Sequence, residues 1–96
     1  MAEKEGHVAG SRNSTKVLLY ALSTCIWCRK TRQLLEDEDV EFDFAYVDLM
    51  DADERKVARE HIRKFSNRMS FPTIIFDEED SITGYKPDRI KERLGL

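Results

Sequence analysis

The amino-acid sequence predicts a single α/β domain with the element order β-α-β-α-β-β-α. The first observation is a continuous apolar run, "VLLYAL", which is typical of a strand buried on both faces, as in a parallel sheet. The second is a helical spacing of apolar residues directly after this run. The third is a period-two pattern of aromatic residues, "FDFAYV", after the helix. Together these patterns predict a β-α-β unit in the first half of the chain.

The first strand covers residues 17–22 and is followed by Ser23 and Thr24, two residue types that commonly cap helices. A helix then begins at Cys25 and ends within "EDED", and a second strand begins at Val40. The helix presents one apolar face, and the strand alternates its aromatic side chains. These positions are Trp27, Thr31, Leu34 and Leu35 in the helix, and Phe42, Phe44 and Tyr46 in the strand.

The second half of the chain predicts a helix, a hairpin and a final helix. Asp51 and Glu54 have the spacing of a capping box at the start of the second helix. The strand "FPTIIF" and the short edge strand "SITG" are joined by the turn "DEED", and Pro87 suits the first turn of the last helix. The apolar positions expected to face the core are Val57, Ala58, Ile62 and Phe65 in the second helix, and Ile90 and Leu94 in the third.

Composition and charge narrow the possible functions of the chain. Its 96 residues suit one domain, and 41% hydrophobic with 36% charged residues is typical of a folded globular protein. The net charge of −3, with both signs interspersed, gives no basic face for nucleic acid. No apolar run reaches the roughly 18 residues that a membrane helix needs. Residues 1–15 lack the apolar segment of a signal peptide, so we expect a polar, flexible leader on a cytoplasmic protein.

Cys25 and Cys28 are the two cysteines of the chain, and two residues separate them in "STCIWC". A structural disulfide, a metal site and a redox pair all use this spacing. A persistent disulfide is unusual in a reducing cytosol, and so short a loop gives little entropic stabilisation. A zinc site would need further ligands, because His7 lies in the leader and His61, on the apolar side of its helix, is expected to be structural. The strand–helix–strand context favours the redox pair.

Three motifs together resemble the glutaredoxin family, whose members have the thioredoxin-like fold. They are the Cys-x-x-Cys pair after the first strand, the junction "SFPT" before the third strand, and Gly84-Tyr85 after the fourth. The resemblance extends over residues 16–96, which we interpret as a glutaredoxin-like domain. The segment "TGYKPDRI" is further similar to the redoxins that serve ribonucleotide reductase. The resemblance implies a four-stranded mixed sheet in the order 2-1-3-4, flanked by three helices.

The position of Cys25 at the start of a helix indicates which cysteine reacts first. Unpaired backbone N–H groups and the positive end of the helix dipole favour a thiolate there, and the thiolate is the form that attacks disulfides. Arg29 and Lys30 add positive charge. We therefore expect a dithiol–disulfide oxidoreductase with Cys25 as the nucleophile and Cys28, one turn further along, as the resolving thiol.

The resemblance also implies which residues surround the cysteines. It implies a cis peptide bond between Phe71 and Pro72 and a Phe71 backbone that pairs with an extended substrate. Trp27 and Tyr85 are expected at the rim of the site, and Arg68 is either a contact for an anionic thiol or a solvated loop cation. The residues expected to bind the substrate or thiol are Thr24, Trp27, Phe71, Pro72, Gly84 and Tyr85.

Several residues differ from those of glutathione-using members. Leu22 stands where these members often carry a lysine, and "GYKPD" at residues 84–88 replaces their Gly-Gly-Cys-Asp run. These differences predict poor turnover with glutathione. We expect no bound cofactor and an electron donor that is a low-molecular-weight thiol, glutathione or another such as coenzyme M, or a thioredoxin reductase. The expected substrates are disulfide-containing proteins or small molecules, and the chain is expected to act as a monomer.

An iron–sulfur carrier or sensor is the alternative function. Cys25 of two chains would then hold a [2Fe–2S] cluster together with thiols from outside the protein. Small residues beside the cysteine favour such a cluster, so the bulky Ile26 and Trp27 argue against it.

Overall fold

The structure, a computed structural model, describes residues 4–96 as one mixed five-stranded sheet with three α-helices packed on it. None of the helices in this part of the chain has the length and apolar character needed to span a lipid bilayer. The strands are β1 (Glu5–Val8), β2 (Val17–Ala21), β3 (Phe42–Tyr46), β4 (Thr73–Phe76) and β5 (Asp80–Thr83). The helices are α1 (Ile26–Asp37), α2 (Ala52–Arg63) and α3 (Pro87–Arg93), and a short 3-10 helix (Val47–Leu49) precedes α2.

The strand order is β1-β3-β2-β4-β5, with β2 and β3 parallel and the other neighbouring pairs antiparallel. The α/β class, the three helices and the predicted order 2-1-3-4, which corresponds to β3-β2-β4-β5, are confirmed. The predicted number of four strands is wrong, because β1 adds a fifth strand beside β3.

β1 lies in the segment 1–15, which we expected to be a flexible leader. All four of its residues pair with β3, and beyond it the Arg12 amide donates a hydrogen bond to the Asp39 carbonyl at 3.0 Å. The leader is therefore joined to the sheet over these residues, while residues 1–3 lie outside the described part of the chain. The sequence "EGHV" gave no strand signal because its alternate side chains are polar and exposed, as an edge strand allows.

Two apolar clusters hold the helices on opposite faces of the sheet. On one face, Leu35 of α1 and Ile90 of α3 pack with Leu19 of β2. On the other face, Ile62 of α2 packs with Tyr20, the next residue of β2. Successive side chains of a strand point to opposite faces, and burying an aliphatic side chain of this size contributes about 1.5–3 kcal/mol. The continuous apolar run in β2 thus serves both clusters.

The predicted capping box of α2 is confirmed. The Asp51 carboxylate accepts a hydrogen bond from the Glu54 amide at 2.8 Å, and the Glu54 carboxylate accepts one from the Asp51 amide at 3.1 Å. Pro87 occupies the first turn of α3 as predicted. The inward position predicted for Val57 is wrong, because α2 packs through Ala58 and leaves Val57 67% exposed.

Candidate functional site

Three chain segments meet at one end of the sheet because of the strand register. Tyr20 pairs with Thr73, and Thr73 pairs with Thr83. The residues that follow β2, precede β4 and follow β5 therefore lie at the same end of the sheet. A hydrogen bond of 2.7 Å from the Gly84 amide to the Pro72 carbonyl joins two of these segments. The site residues predicted from the sequence all lie in these segments or in the first turn of α1.

Cys25 is the N-cap residue of α1. Its backbone is extended, and its sulfur accepts a hydrogen bond from the Cys28 amide at 3.3 Å. The Cys25 amide in turn donates to the Leu22 carbonyl at 3.2 Å, which closes a turn at the end of β2. The cap predicted at Ser23 or Thr24 is therefore wrong, because the cysteine sulfur itself takes this position. The side chain of Cys25 is partly exposed, and its thiol is free.

Cys28 is buried one turn inside α1, with 2% of its surface exposed. Its sulfur accepts a weak hydrogen bond from the Leu22 amide at 3.5 Å. Burial raises the pKa of the Cys28 thiol to about 12, and a hydrogen bond to Cys25 acts in the same direction. Cys28 therefore stays protonated at neutral pH.

An aromatic pair lies on the surface in the first turn of α1 and just after β5. The ring of Trp27 stacks on that of Tyr85, with a centroid distance of 5.9 Å and an interplanar angle of 24°. The Lys30 ammonium lies 4.8 Å from the centroid of the Trp27 ring. Trp27 is 52% exposed and Ile26 is 60% exposed, so this aromatic pair belongs to an apolar surface beside Cys25.

The peptide bond between Phe71 and Pro72 is cis, as predicted. Pro72 is buried, whereas Phe71 is partly exposed and packs, like Cys25, against the cluster formed by α1, α3 and the sheet. Gly84 has a φ of 94°, a conformation that favours glycine. The structure thus brings Phe71, Pro72 and Gly84 to the end of the sheet that carries Cys25; their role in substrate binding stays a prediction.

Three other residues considered in the sequence have simpler surroundings. Thr24 is exposed directly before Cys25. Arg68 is exposed in the loop between α2 and β4, where its amide donates to the Ser66 hydroxyl. His61 bridges the Tyr20 hydroxyl at 2.6 Å and the Glu78 carboxylate at 2.7 Å, a structural position that agrees with its interpretation from the sequence.

Asp48 is a site residue that the sequence did not reveal. Its carboxylate accepts hydrogen bonds from the amide and the hydroxyl of Ser23, two residues before Cys25. Partial burial raises the pKa of Asp48, but these hydrogen bonds outweigh that effect and the pKa lies below its usual value. In a parallel β-α-β unit, the residues that follow the two strands lie at the same edge of the sheet. Ser23 follows β2 and Asp48 follows β3, so this topology was the signal in the sequence that could have predicted their contact.

An open cavity of about 320 Å³ adjoins this site and was also missed. Leu22 and Phe71 line one part of it, and Arg55 and Arg59 of α2 line another. The Arg55 Nε donates a hydrogen bond to the Met50 carbonyl at 3.0 Å. The i, i+4 spacing of the two arginines, which puts both on one side of α2, was the signal in the sequence. The cavity therefore combines an apolar wall with two cations and one carboxylate, that of Asp48.

Comparison with known proteins identifies the family. Residues 17–80 match the family model described as Glutaredoxin. The crystal structure of the glutaredoxin from Methanosarcina mazei Go1 has 44% sequence identity to this chain and a TM-score of 0.91. The match covers 98% of this chain and 90% of that chain. The chain belongs to the glutaredoxin family.

Two further structures resemble this glutaredoxin. Methanoredoxin from Methanosarcina acetivorans is 40% identical, with a TM-score of 0.84 and 88% of each chain covered. The glutaredoxin-like protein NrdH-redoxin from Escherichia coli is 23% identical, with a TM-score of 0.64 over 80% of this chain and 92% of that chain, a likeness that shows the shared fold. Members of the glutaredoxin family are thiol–disulfide oxidoreductases, and this glutaredoxin has two free cysteines, Cys25 and Cys28, at the start of α1.

Within residues 4–96, no group of three or more histidine, cysteine, aspartate or glutamate side chains is arranged to hold a metal ion.

Proposed function

We propose that residues 16–96 act as a dithiol–disulfide oxidoreductase that reduces disulfides in proteins or small molecules through Cys25 and Cys28. The observation that supports this most strongly is the difference between the two cysteines. Cys25 is partly exposed at the N-terminus of α1, whereas Cys28 is buried one turn inside and has a pKa of about 12. A substrate disulfide thus has access to Cys25, while Cys28 is placed to react with the Cys25 sulfur.

The first half-reaction is the attack of the Cys25 thiolate on one sulfur of the substrate disulfide. A new S–S bond joins Cys25 to that sulfur, the substrate S–S bond breaks, and the other substrate sulfur leaves as a thiolate that takes a proton from water. The backbone N–H groups at the start of α1, among them the Cys28 amide at 3.3 Å, stabilise the Cys25 anion before the attack.

The second half-reaction is the attack of Cys28 on the mixed disulfide. Its thiol gives its proton to solvent, its sulfur bonds to the Cys25 sulfur, and the remaining substrate sulfur leaves as a thiolate. Burial raises the pKa of Cys28, and the hydrogen bond to Cys25 and the negative charge of Cys25 raise it further. Both effects of Cys25 weaken once it is in a neutral disulfide, so Cys28 loses its proton more readily at the step that needs its thiolate. Two electrons have then passed to the substrate.

The surroundings of Cys25 support binding of an extended or apolar substrate. The stacked rings of Trp27 and Tyr85 offer a flat surface beside the nucleophile. Among the described residues, the Phe71 amide and carbonyl have no backbone hydrogen-bond partner, which leaves both groups for a substrate chain. The other proposed binding residues are Thr24, which is exposed, Pro72, which is buried, and Gly84.

The electron donor restores the two thiols by the reverse exchange. Leu22 and "KPD" at residues 86–88 replace residues that contact glutathione in other members. The cavity next to Leu22 has two cations, Arg55 and Arg59, against the one carboxylate of Asp48. We infer that the donor is a thioredoxin reductase or an anionic thiol other than glutathione, such as coenzyme M.

The proposed function is tested by steady-state reduction of insulin and of hydroxyethyl disulfide. Glutathione, coenzyme M and NADPH with thioredoxin reductase are supplied as donors in parallel reactions. We expect turnover with at least one donor and none with the Cys25→Ser variant. Absence of turnover with every donor, in a protein whose two thiols titrate normally, would refute the proposed function.

A further inference from the structure

A groove of about 720 Å³ lies between α2 and the part of the sheet formed by β1, β2 and β3. Its floor is apolar and includes Leu18 and Tyr20 of β2, Ala45 of β3 and Ala58 of α2. Val57, which is 67% exposed, projects at its side. None of the residues that line the groove belongs to the redox site. Its volume is within the range of roughly 300–1,000 Å³ that is typical of binding clefts, and such clefts are lined mainly by apolar side chains.

The rim of the groove is acidic. Glu5 and Asp53 are exposed on opposite sides, and neither has an ionic partner among residues 4–96. The other two carboxylates at the rim already have partners within the chain. Asp43 lies 2.6 Å from the His7 ring, and Glu54 lies 2.6 Å from the Lys4 ammonium. The charge left without a partner at this rim is therefore negative on both sides of an apolar floor.

We propose that this groove binds a segment of a partner protein in which apolar side chains are flanked by lysines or arginines. The apolar side chains fill the floor beside Leu18 and Val57, and the flanking cations pair with Glu5 and Asp53. The charge argues against the other occupants. A second copy of the chain in a two-fold arrangement would bring one acidic rim against the other, and an anionic membrane surface would be repelled.

This binding site is separate from the redox chemistry. The groove lies over the β1 side of the sheet and α2, whereas Cys25 follows β2 and begins α1 on the other face. A segment held in the groove would leave Cys25 accessible. Binding at the groove and disulfide reduction are therefore measured independently.

The test is an NMR titration of the reduced, ¹⁵N-labelled full-length chain with three capped hexapeptides. The first has two central leucines flanked by lysines, the second has the same leucines flanked by glutamates, and the third has two central serines flanked by lysines. We expect the lysine–leucine peptide to shift the amides of Gly6, Leu18 and Val57 in a saturable way and to leave those of Cys25 and Cys28 unchanged. The other two peptides should bind at least about tenfold more weakly, because each lacks one of the two contacts.

Exposed substitutions separate the groove from general surface charge. The double variant Glu5→Gln and Asp53→Asn should weaken binding about fivefold, and Val57→Ser should weaken it about threefold or more. The matched control is Glu79→Gln with Glu92→Gln, which makes the same change of net charge at exposed positions away from the groove and should leave binding unchanged. All five positions are exposed, and far-ultraviolet circular dichroism checks that each variant is folded.

Several results would overturn the proposal. They are the absence of saturable shifts, equal binding of the glutamate–leucine peptide, shifts centred on Trp27 and Tyr85, or equal weakening by the control variant. Shifts of the groove amides with protein concentration alone would show that a second copy is the occupant, and would overturn it as well.

Discussion

The Asp48 carboxylate accepts two hydrogen bonds from Ser23, one from its amide at 2.8 Å and one from its hydroxyl at 2.5 Å. Asp48 lies just after β3 and Ser23 just after β2, so the contact ties together the ends of two parallel strands. Ser23 precedes the N-cap residue Cys25 by two positions. The contact therefore fixes the loop that precedes Cys25.

Replacing Asp48 should impair the reaction of Cys25. The Asp48→Asn variant offers one carbonyl oxygen where the carboxylate accepts two hydrogen bonds, so the loop before Cys25 loses part of its support. We expect kcat/KM for a small disulfide to fall on the order of tenfold, about 1.4 kcal/mol of transition-state stabilisation. Glu60→Gln, an exposed change on α2, is the control, and an unchanged kcat/KM in the Asp48 variant would show that the loop needs no such support.

The stability effect of Asp48 should depend on pH in one direction. Its pKa in the folded protein is lower than its usual value, so its stabilising contribution is present above the unfolded pKa and is lost as the pH falls through the folded pKa. Urea unfolding should therefore show a larger difference between the wild-type protein and Asp48→Asn at pH 7 than at pH 3. A difference that grows toward acid would contradict the assignment.

The two cysteine variants should fail at different steps. Cys25→Ser should abolish disulfide reduction, whereas Cys28→Ser should accumulate a mixed disulfide between Cys25 and the substrate, which intact-mass spectrometry detects. In the reduced wild-type protein, iodoacetamide at pH 7 should alkylate Cys25 first, because a thiol with a pKa of about 12 is ionised to roughly one part in 100,000 at this pH. Peptide mapping that finds Cys28 modified first would reverse the proposed roles.

The raised pKa of Cys28 should make the reduced protein less stable at alkaline pH. Burial raises its pKa from 9.0 to about 12, so its contribution is fully present below the unfolded pKa and is lost as the pH rises from about 9 toward 12. Between pH 8 and pH 10, the free energy of unfolding should fall less for the Cys28→Ala variant than for the wild-type protein. Urea unfolding in the presence of a reductant measures this. Equal slopes for Cys28→Ala and the wild-type protein would refute this effect.

The Trp27–Tyr85 pair should matter more for large substrates than for small ones. Trp27→Ala removes an exposed ring from the surface beside Cys25, so we expect kcat/KM for insulin to fall about tenfold and that for hydroxyethyl disulfide less than about twofold. Tyr85→Ala should have a smaller effect, since Tyr85 is less exposed. An equal loss with both substrates would indicate that Trp27 supports Cys25 rather than the substrate.

The arginines of α2 should distinguish the possible electron donors. With Arg55→Gln and Arg59→Gln combined, we expect the rate with an anionic thiol to fall about tenfold or more and the rate with thioredoxin reductase to change little, because charge-assisted contacts of this kind contribute about 1.5–3 kcal/mol. Glutathione should be a poor donor for the wild-type protein. Efficient, saturable turnover with glutathione alone would place the protein with the ordinary glutathione-dependent members.

The sequence by itself determined the parts of the molecule that depend on local patterns. The apolar run of β2, the aromatic alternation of β3 and the capping box of Asp51 and Glu54 are local signals, and each formed the predicted element. The spacing of Cys25 and Cys28 likewise places the two residues one turn apart at the start of α1, as the N-cap and the third helical residue. Short-range geometry is sufficient for such features because the side-chain period of a helix or strand is fixed.

Tertiary structure alone decided the features that join distant parts of the chain. β1 forms because the edge of β3 supplies its hydrogen-bond partners. The local sequence "EGHV" does not predict a strand. Asp48 meets Ser23, and Trp27 meets Tyr85, because strand register brings the ends of separate strands together. The exposure of Val57 depends on how α2 sits on the sheet, since an amphipathic pattern leaves the edges of the buried face undefined. These contacts span long sequence separations, and only the packing of the whole domain determines them.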